Sequence, residues 1–206
     1  MTFMKVCGIT RASDAHHAIT HGASALGFVF WPQSPRYIAP DKAAIIISEL
    51  QDNIQTVGVF VDQSLEEISR VVSEAGVSMV QLHGDESSSY AERIPLPLLK
   101  AMTLENAAET MANWPEPTVM LLDANDTVRR GGTGKRIDWT RAAAVASSRR
   151  VILAGGLTDI NIEEAITTVR PYGVDVSSGV EDSPGVKNLN KLSCFLERAR
   201  GVSDDS

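Results

Sequence analysis

Short apolar runs alternate with helical patterns along the whole chain, eight times in succession. The runs are rich in valine and leucine at successive positions, as expected for strands that are buried on both faces. Regular alternation with helices favours parallel strands joined by right-handed crossovers. The predicted strands are Phe3–Cys7, Ala25–Phe30, Thr56–Val61, Ser78–Leu82, Leu98–Met102, Thr118–Leu122, Arg150–Leu153 and Gly173–Ser177.

The helical segments between these runs carry their own start and stop signals. Pro40 and Asp41 suit a helix start, and Ser64 with Glu67 three residues later forms a capping box. Gly76 is a typical helix end. The predicted helices are Ala12–His21, Asp41–Leu50, Ser64–Ala75, Glu86–Arg93, Glu105–Ala112, Trp139–Ser147, Asp159–Val169 and Asn188–Arg200.

Eight strand–helix units in 206 residues leave about 26 residues for each unit. We therefore predict an α/β fold, a single-domain (β/α)8 TIM barrel near the short end of the usual size range. The alternative is an open doubly wound sheet, but its G-x-G-x-x-G fingerprint is missing from the first turn, CGITRAS. No linker divides residues 1–206, and we expect residues 201–206 to fray.

The composition narrows the possible partners. The chain carries 19 basic and 26 acidic residues, a net charge of −7, which argues against nucleic acid. No apolar run approaches the ~20 residues needed to cross a membrane, and the N-terminus lacks a signal-peptide pattern. Two cysteines, Cys7 and Cys194, are too few for a disulfide framework, so we expect a cytoplasmic protein, with Cys194 packed in the core.

In such a barrel the chemistry lies at the carboxyl ends of the strands. Cys7 ends the first strand and is interpretable as a small buried hydrophobe or as a thiolate base, helped by the charge of Lys5 on the same strand face. Asp123 ends the sixth strand and is interpretable as a turn residue or as a general acid. His83, at the end of the fourth strand, is expected to line the same pocket, as is Lys5.

Glycine-rich loops follow the last three strands. Gly155 and Gly156 follow the seventh strand, and Ser178 and Gly179 follow the eighth. Phosphate sites of these barrels lie between those two loops, often with a short extra helix, which we expect within Glu181–Gly185. The loop GGTGK, which includes Gly132, could be a lid or a plain connection, and residues 125–134 are the candidate mobile lid.

Two further features have competing interpretations. Arg36, in the loop after the second strand, is either a solvated surface residue or a bidentate carboxylate ligand. His17 and His21 have the i, i+4 spacing of metal ligands, but they lie away from the predicted mouth and no third ligand is evident. We therefore expect no metal site.

An ordered set of motifs gives the chain a family resemblance. The segments KVCGIT, GFVFWPQSPRYI, VGVFVDQ, QLHGDE, LLD, GGTGKRIDW, LAGGL and VDVSSGVEDSPGVK occur in this order between residues 5 and 187. Together they resemble the phosphoribosylanthranilate isomerases of tryptophan biosynthesis. The resemblance implies a cofactor-independent Amadori rearrangement of a phosphorylated small molecule within a single-domain (β/α)8 barrel.

The same resemblance implies roles for individual residues. The cysteine of the KVCGIT motif, Cys7, would be the general base, and the aspartate of LLD, Asp123, would be the general acid. Arg36 would hold the anthranilate carboxylate. The phosphate would be bound by the residues that match the family's glycine-rich loops, namely Gly132, Gly155, Gly156, Ser178 and Gly179.

Three other functions remain open at this point. The first is the related isomerase of histidine biosynthesis, whose acid–base pair consists of two aspartates, so the presence of Cys7 counts against it. Ribulose-phosphate epimerases use clustered metal ligands, which the sequence does not show. A non-catalytic phosphate-binding barrel is the third alternative. Nothing in the sequence requires a dimer, and we expect a monomer.

Overall fold

The computed structural model describes residues 2–50, 53–124 and 137–204. Within them, eight parallel strands close into a barrel in sequential order, with β8 pairing with β1. The prediction of a (β/α)8 barrel is thereby confirmed. The strands are β1 Phe3–Cys7, β2 Ala25–Val29, β3 Gln55–Phe60, β4 Met79–Leu82, β5 Leu98–Met102, β6 Val119–Leu122, β7 Val151–Leu153 and β8 Gly173–Val176.

A helix follows each strand of the barrel. Helix α3 begins as predicted, because the Ser64 side chain accepts a hydrogen bond from the Glu67 N–H, and it ends at Gly76 with φ 72°. The helices are α1 Ala12–Thr20, α2 Pro40–Ser48, α3 Leu65–Ala75, α4 Ser88–Ala91, α5 Ala107–Asn113, α6 Trp139–Ala146, α7 Ile162–Val169 and α8 Leu189–Asp204.

Two predictions about the C-terminal part need correction. Residues 201–204 continue helix α8, so the helix does not end at Arg200. Cys194 is exposed on α8 instead of packing in the core, because its neighbours Leu192, Phe195 and Leu196 occupy the buried face.

The barrel interior contains both apolar and charged side chains. One apolar cluster consists of Ala25, Val57, Leu99, Ala101, Leu121, Ile152 and Ala154. A buried lysine and a buried aspartate, Lys5 and Asp175, lie on neighbouring strands, and their Cα atoms pair in the β1–β8 register. Charged groups therefore begin within the barrel just below its carboxyl-terminal mouth.

The segment after β8 differs from the prediction. The short extra helix is a 3-10 turn at Ser178–Val180, earlier than the expected Glu181–Gly185. Glu181–Ser183 forms strand β9, which pairs in antiparallel fashion with β10, Val186–Lys187. The chain reverses at Gly185, whose φ of 80° suits glycine. This hairpin returns Lys187 to the top of the barrel.

None of the described helices is long and apolar enough to span a membrane. The candidate lid, residues 125–134, and Gly132 within it lie outside the described residues.

Candidate active site

A cavity of about 530 Å³ opens at the carboxyl ends of the strands. The structure brings most of the predicted site residues into its lining, together with Gln81, Asp175 and an apolar wall. The predicted residues in the lining are Cys7, Arg36, His83, Asp123, Gly155, Gly156, Ser178 and Gly179.

Lys5 is the exception among the described site residues. It was expected to line the pocket, but its side chain is fully buried below the cavity floor. The reason is the strand geometry: Lys5 shares the inward face of β1 with Cys7 but comes two residues earlier, about 7 Å lower in the barrel. Its Nζ lies 3.0 Å from Asp175 Oδ1 on β8.

The positive charges around Cys7 do not suffice to favour its thiolate form. Burial raises the pKa of the Cys7 thiol, and the positive charges of Lys5 and Lys187 oppose this shift without cancelling it. Burial also works against the charged form of Lys5, but the negative charge of Asp175 raises its pKa above the ordinary value, so Lys5 stays charged. The positive charges that we expected near Cys7 are present, yet near neutral pH Cys7 is mainly a neutral thiol.

Asp123 stands at the end of β6 with two neighbours in contact with its carboxyl group. Its Oδ1 accepts a hydrogen bond from the Ala124 N–H at 2.7 Å, and its Oδ2 lies 3.5 Å from His83 Nε2. The other ring nitrogen of His83, Nδ1, lies 2.8 Å from Gln81 Nε2. With Nδ1 accepting from the amide, a neutral His83 carries its proton on Nε2, toward Asp123.

Gly155 allows the loop after β7 to pass close to Asp123. A Cβ on Gly155 would lie 2.6 Å from the Ala124 nitrogen and 3.1 Å from Asp123 Oδ1. The residue also has φ 79°, which disfavours other residues. A glycine is therefore required where the two loops meet.

The loops after β7 and β8 present free backbone donors to the cavity. No hydrogen bond within the described residues uses the N–H of Gly155, Gly156, Ser178 or Gly179. The loops also touch: a Cβ on Gly179 would overlap the Leu157 carbonyl oxygen at 1.8 Å. Several adjacent, unpaired N–H groups can bind an anion such as a phosphate.

Arg36 is not a free surface residue. Its guanidinium forms a two-pronged ion pair with Glu181, with Nη2 at 2.7 Å from Oε2. Glu181 Oε1 also accepts a hydrogen bond from Lys187 Nζ at 2.9 Å. The second interpretation of Arg36, as a buried ligand for carboxylates, fits this environment.

Four polar residues at the site were not singled out from the sequence: Gln81, Asp175, Glu181 and Lys187. A signal existed for Asp175, because a charge in the apolar run GVDVS requires a buried partner, and closure of the barrel pairs that run with FMKVC. The roles of Glu181 and Lys187 depend on the β9–β10 hairpin, which the sequence pattern did not predict.

In the described part of the chain, no group of three or more His, Cys, Asp or Glu side chains is arranged to hold a metal ion. His17 Nε2 instead lies 2.7 Å from Ser193 Oγ on α8.

A thiol and a carboxyl group at the ends of different barrel strands, beside loops with unpaired backbone N–H groups, are typical of one class: (β/α)8 barrels that carry out acid–base chemistry on phosphorylated small molecules. The comparisons with known proteins give the family within this class. The family model described as N-(5'phosphoribosyl)anthranilate (PRA) isomerase matches residues 4–198. The chain belongs to this family.

Individual relatives agree over nearly the full length. The chain is 45% identical to the N-(5'-phosphoribosyl)anthranilate isomerase of Geobacter sp. (strain M21), over 98% of this chain and 100% of the relative. A solved phosphoribosyl anthranilate isomerase in complex with reduced 1-(o-carboxyphenylamino)-1-deoxyribulose 5-phosphate is 37% identical, with a TM-score of 0.87 and coverage of 98% and 100%. Monomers generated from the dimeric enzyme of Thermotoga maritima are 35% identical, with a TM-score of 0.87 and the same coverage.

Proposed function

We propose that the chain converts N-(5-phosphoribosyl)anthranilate to 1-(2-carboxyphenylamino)-1-deoxyribulose 5-phosphate, the Amadori step of tryptophan biosynthesis. The observation that carries the proposal is the arrangement of Cys7 and Asp123 in one cavity. They stand three strands apart around the barrel, at the ends of β1 and β6. A sugar bound between them would meet a base and an acid from different sides.

The rest of the cavity matches the two ends of this substrate. The unpaired N–H groups of the loops after β7 and β8 suit the phosphate. Toward β2 and β3, the wall contains Val29, Val59 and Trp31, which suits the aromatic ring of an anthranilate. Arg36 stands beside this wall, where it can bind the carboxylate of the ring.

The proposed reaction begins with proton transfer from Asp123 to the furanose ring oxygen. The ring opens, and C1′ and the anthranilate nitrogen form a conjugated iminium ion. This makes the C2′ proton acidic, and the Cys7 thiolate removes it to give a neutral enaminol. Tautomerisation adds a proton at C1′ and removes the proton of the C2′ hydroxyl. Cys7 then releases its proton to solvent and Asp123 takes one up, so both groups return to their starting states and the conversion consumes no net proton.

His83 supports the acid half of this scheme. Its Nε2 faces Asp123 Oδ2, and Gln81 fixes the orientation of the ring from the other side. We infer that His83 holds the Asp123 carboxyl group in position and can share its proton as the ring opens. The base half depends on the small thiolate fraction that Lys5 and Lys187 maintain against burial.

A fluorescence assay tests the proposed function. Purified protein is mixed with freshly prepared phosphoribosylanthranilate, without added metal, and the loss of anthranilate fluorescence is followed. We expect rapid loss with the wild-type protein. A protein that binds the substrate without turnover would contradict the proposal in favour of a binding barrel. Turnover of the histidine-pathway aminoimidazole carboxamide substrate alone would contradict it in favour of the sibling isomerase.

We also propose that the protein acts as a monomer. The proposed base, acid and carboxylate ligand, Cys7, Asp123 and Arg36, all lie in the cavity of one chain. The dimeric relative from Thermotoga maritima makes the opposite outcome a real alternative. Sedimentation equilibrium at assay concentration decides between a mass near 22.2 kDa and twice that mass.

A cytoplasmic location is consistent with the proposed chemistry. Cys7 must stay reduced to act as a base, and reducing compartments keep thiols free. Fractionation of the source cells followed by immunodetection would test this.

A further inference from the structure

The guanidinium of Arg36 is held along one edge by Glu181. Nε donates to Oε1 at 3.0 Å and to Oε2 at 3.1 Å, and Nη2 donates to Oε2 at 2.7 Å. Both side chains are nearly buried, with 10% and 4% of their surfaces exposed. A two-pronged contact of this kind fixes the plane of the guanidinium as well as its position.

The opposite part of the guanidinium is free for a ligand. No described residue accepts a hydrogen bond from Nη1 of Arg36, and the residue lines the cavity. The aliphatic part of the Arg36 side chain packs closely against Gly8, because a Cβ on Gly8 would lie 2.6 Å from Arg36 Cδ. The side chain is therefore held at both ends, with Nη1 left for the cavity.

Glu181 is itself fixed by a second cation. Lys187 Nζ donates to Glu181 Oε1 at 2.9 Å and to the carbonyl oxygens of Cys7 and Ser177 at 2.6 and 3.3 Å. The Gly185 N–H also donates to Oε1 at 3.3 Å. These bonds connect the hairpin that carries Glu181 to the ends of β1 and β8.

The charges of this group leave one positive charge uncompensated. Arg36 and Lys187 bring two positive charges against the one negative charge of Glu181; burial lowers the pKa of Lys187, and the charge and hydrogen bond of Glu181 oppose that shift. Burial works to raise the pKa of Glu181, but hydrogen bonds from Arg36 and the charge of Lys187 hold that pKa below its usual value. The carboxylate therefore stays ionised, and the group is suited to receive one further anion of charge −1.

We propose that Glu181 is a positioning residue for the aromatic carboxylate: it holds Arg36 so that the free edge of the guanidinium faces the carboxylate of the substrate. This inference rests on the proposed function, in which Arg36 binds that carboxylate. Glu181 does not touch the substrate. It acts by removing the rotamer freedom of Arg36 before binding, which lowers the entropic cost of holding the ligand.

Glu181→Gln is the substitution that tests this role. Glutamine has a similar size but only one acceptor oxygen. It therefore cannot accept both hydrogen bonds from Arg36 and the hydrogen bond from Lys187 at the same time. One of the two buried cations then loses its partner, and Arg36 gains freedom to leave its orientation. Glu181→Asp, which keeps the charge on a shorter side chain, is the second variant if the first fails to fold.

The experiment compares two ligands by calorimetry. The first is the reduced product analogue with its carboxylate, and the second is the same compound made from aniline, which lacks the carboxylate. The proteins are wild type, Arg36→Met, Glu181→Gln and the double variant. Asp182→Asn is the matched control, because Asp182 is the neighbouring hairpin carboxylate and contacts Asn188 instead of Arg36.

We expect Arg36→Met to lower the affinity for the carboxylate ligand about 30-fold or more, because the buried carboxylate then loses its charged partner. Glu181→Gln should lower this affinity about tenfold, the usual effect of losing charge-assisted hydrogen bonds. The affinity for the aniline ligand should change less than about twofold in both variants, because this ligand has no carboxylate for Arg36 to bind. In the double variant Glu181→Gln should add nothing, and Asp182→Asn should leave both ligands unchanged.

Other outcomes overturn the inference in distinguishable ways. If Glu181→Gln weakens both ligands equally while Arg36→Met discriminates between them, Glu181 only stabilises the hairpin and the proposed function stands. The same conclusion follows if Glu181→Gln changes neither ligand. If Arg36→Met itself does not discriminate, Arg36 is not the carboxylate site and the inference about Glu181 fails, whereas the proposed reaction, which rests on Cys7 and Asp123, stands. If neither ligand binds to the wild-type protein, the proposed function itself fails.

Discussion

The two halves of the cavity are built in opposite ways. Around Cys7, at the end of β1, the described residues supply three buried cations and two buried carboxylates. They form the pair Lys5–Asp175 and the triad Arg36–Glu181–Lys187. Around Asp123, at the end of β6, they supply one backbone N–H and one histidine ring. A buried thiol needs strong electrostatic support to ionise at all, whereas a carboxyl group needs little beyond correct placement.

The difference has a consequence for each half. The base half is fixed by many ion pairs, yet burial still keeps the pKa of Cys7 raised. The acid half depends on close packing of backbone, because Gly155 leaves no space beside Asp123. Substitutions in the base half should therefore change the pH dependence of the reaction, and those in the acid half should change the geometry of proton donation.

The largest effect is expected for Cys7→Ala. Loss of the general base should lower kcat by about 10³-fold or more and change KM much less, because the proposed phosphate and carboxylate contacts remain. Steady-state fluorescence kinetics measure both constants. Cys194→Ala is the matched control, since it removes the exposed thiol on α8 and should have no effect. A Cys7→Ala protein with wild-type kcat would remove the thiol from the mechanism.

Asp123→Asn should lower kcat by about 10²- to 10³-fold. Asparagine keeps the shape of the side chain but cannot donate a carboxyl proton to the ring oxygen. Asp41→Asn, an exposed acid in the first turn of α2, provides the control and should behave as wild type. Should Asp123→Asn retain more than half of the wild-type kcat, another group must protonate the sugar.

A smaller effect, on pH dependence, is expected for Lys5→Met. Removing this charge raises the pKa of Cys7 further, because Lys5 opposes the effect of burial. Each unit by which the pKa of Cys7 rises lowers the thiolate fraction near neutral pH about tenfold. We therefore expect kcat/KM at pH 7 to fall by about that factor. Because the substitution leaves Asp175 without its partner, Lys5→Met combined with Asp175→Asn is made in parallel. An unchanged alkylation rate of Cys7 in both proteins would show that Lys5 does not support the thiolate.

The smallest effect is expected for Gly155→Ala, which tests the close packing of the acid half. A Cβ at this position would press on Ala124 and Asp123, so we expect a loss of about 1–3 kcal/mol in stability and a several-fold lower kcat. Gly76→Ala is a well-matched control, because Gly76 has a similar φ of 72° but no atom within 4 Å of the new Cβ. Thermal unfolding and kcat are measured for both. Equal losses of kcat in the two variants would rule out a special role for the contact at Gly155.

The features that could be predicted from the sequence are those with a local signal. The barrel followed from the eightfold alternation of runs such as TVGVFV with helical segments, and Cys7 and Asp123 followed from their positions at strand ends. These are local signals, and the topology rules turn them into a shared mouth.

The supporting residues could not be predicted in this way. Arg36 and Glu181 are 145 residues apart and meet only because the β9–β10 hairpin folds over the mouth. Cys194 shows the opposite failure: an apolar residue type in a helix does not reveal which face it occupies when its neighbours Leu192, Phe195 and Leu196 are apolar too. Long-range pairing and helix rotation are set by tertiary packing, which a single sequence does not display.

The most direct test of the account compares two pH titrations of one protein, the Cys194→Ala variant. The first follows the rate of Cys7 alkylation by iodoacetamide, which reports the thiolate. The second follows kcat/KM, whose bell-shaped profile reports two apparent pKa values, one for the essential acid and one for the essential base. We predict that one of these two values equals the pKa of the thiol, above the ordinary value for cysteine, because burial outweighs the nearby cations. A profile in which neither apparent pKa matches that of the thiol would mean that a different group removes the C2′ proton, and the assignment of Cys7 as the base would be wrong.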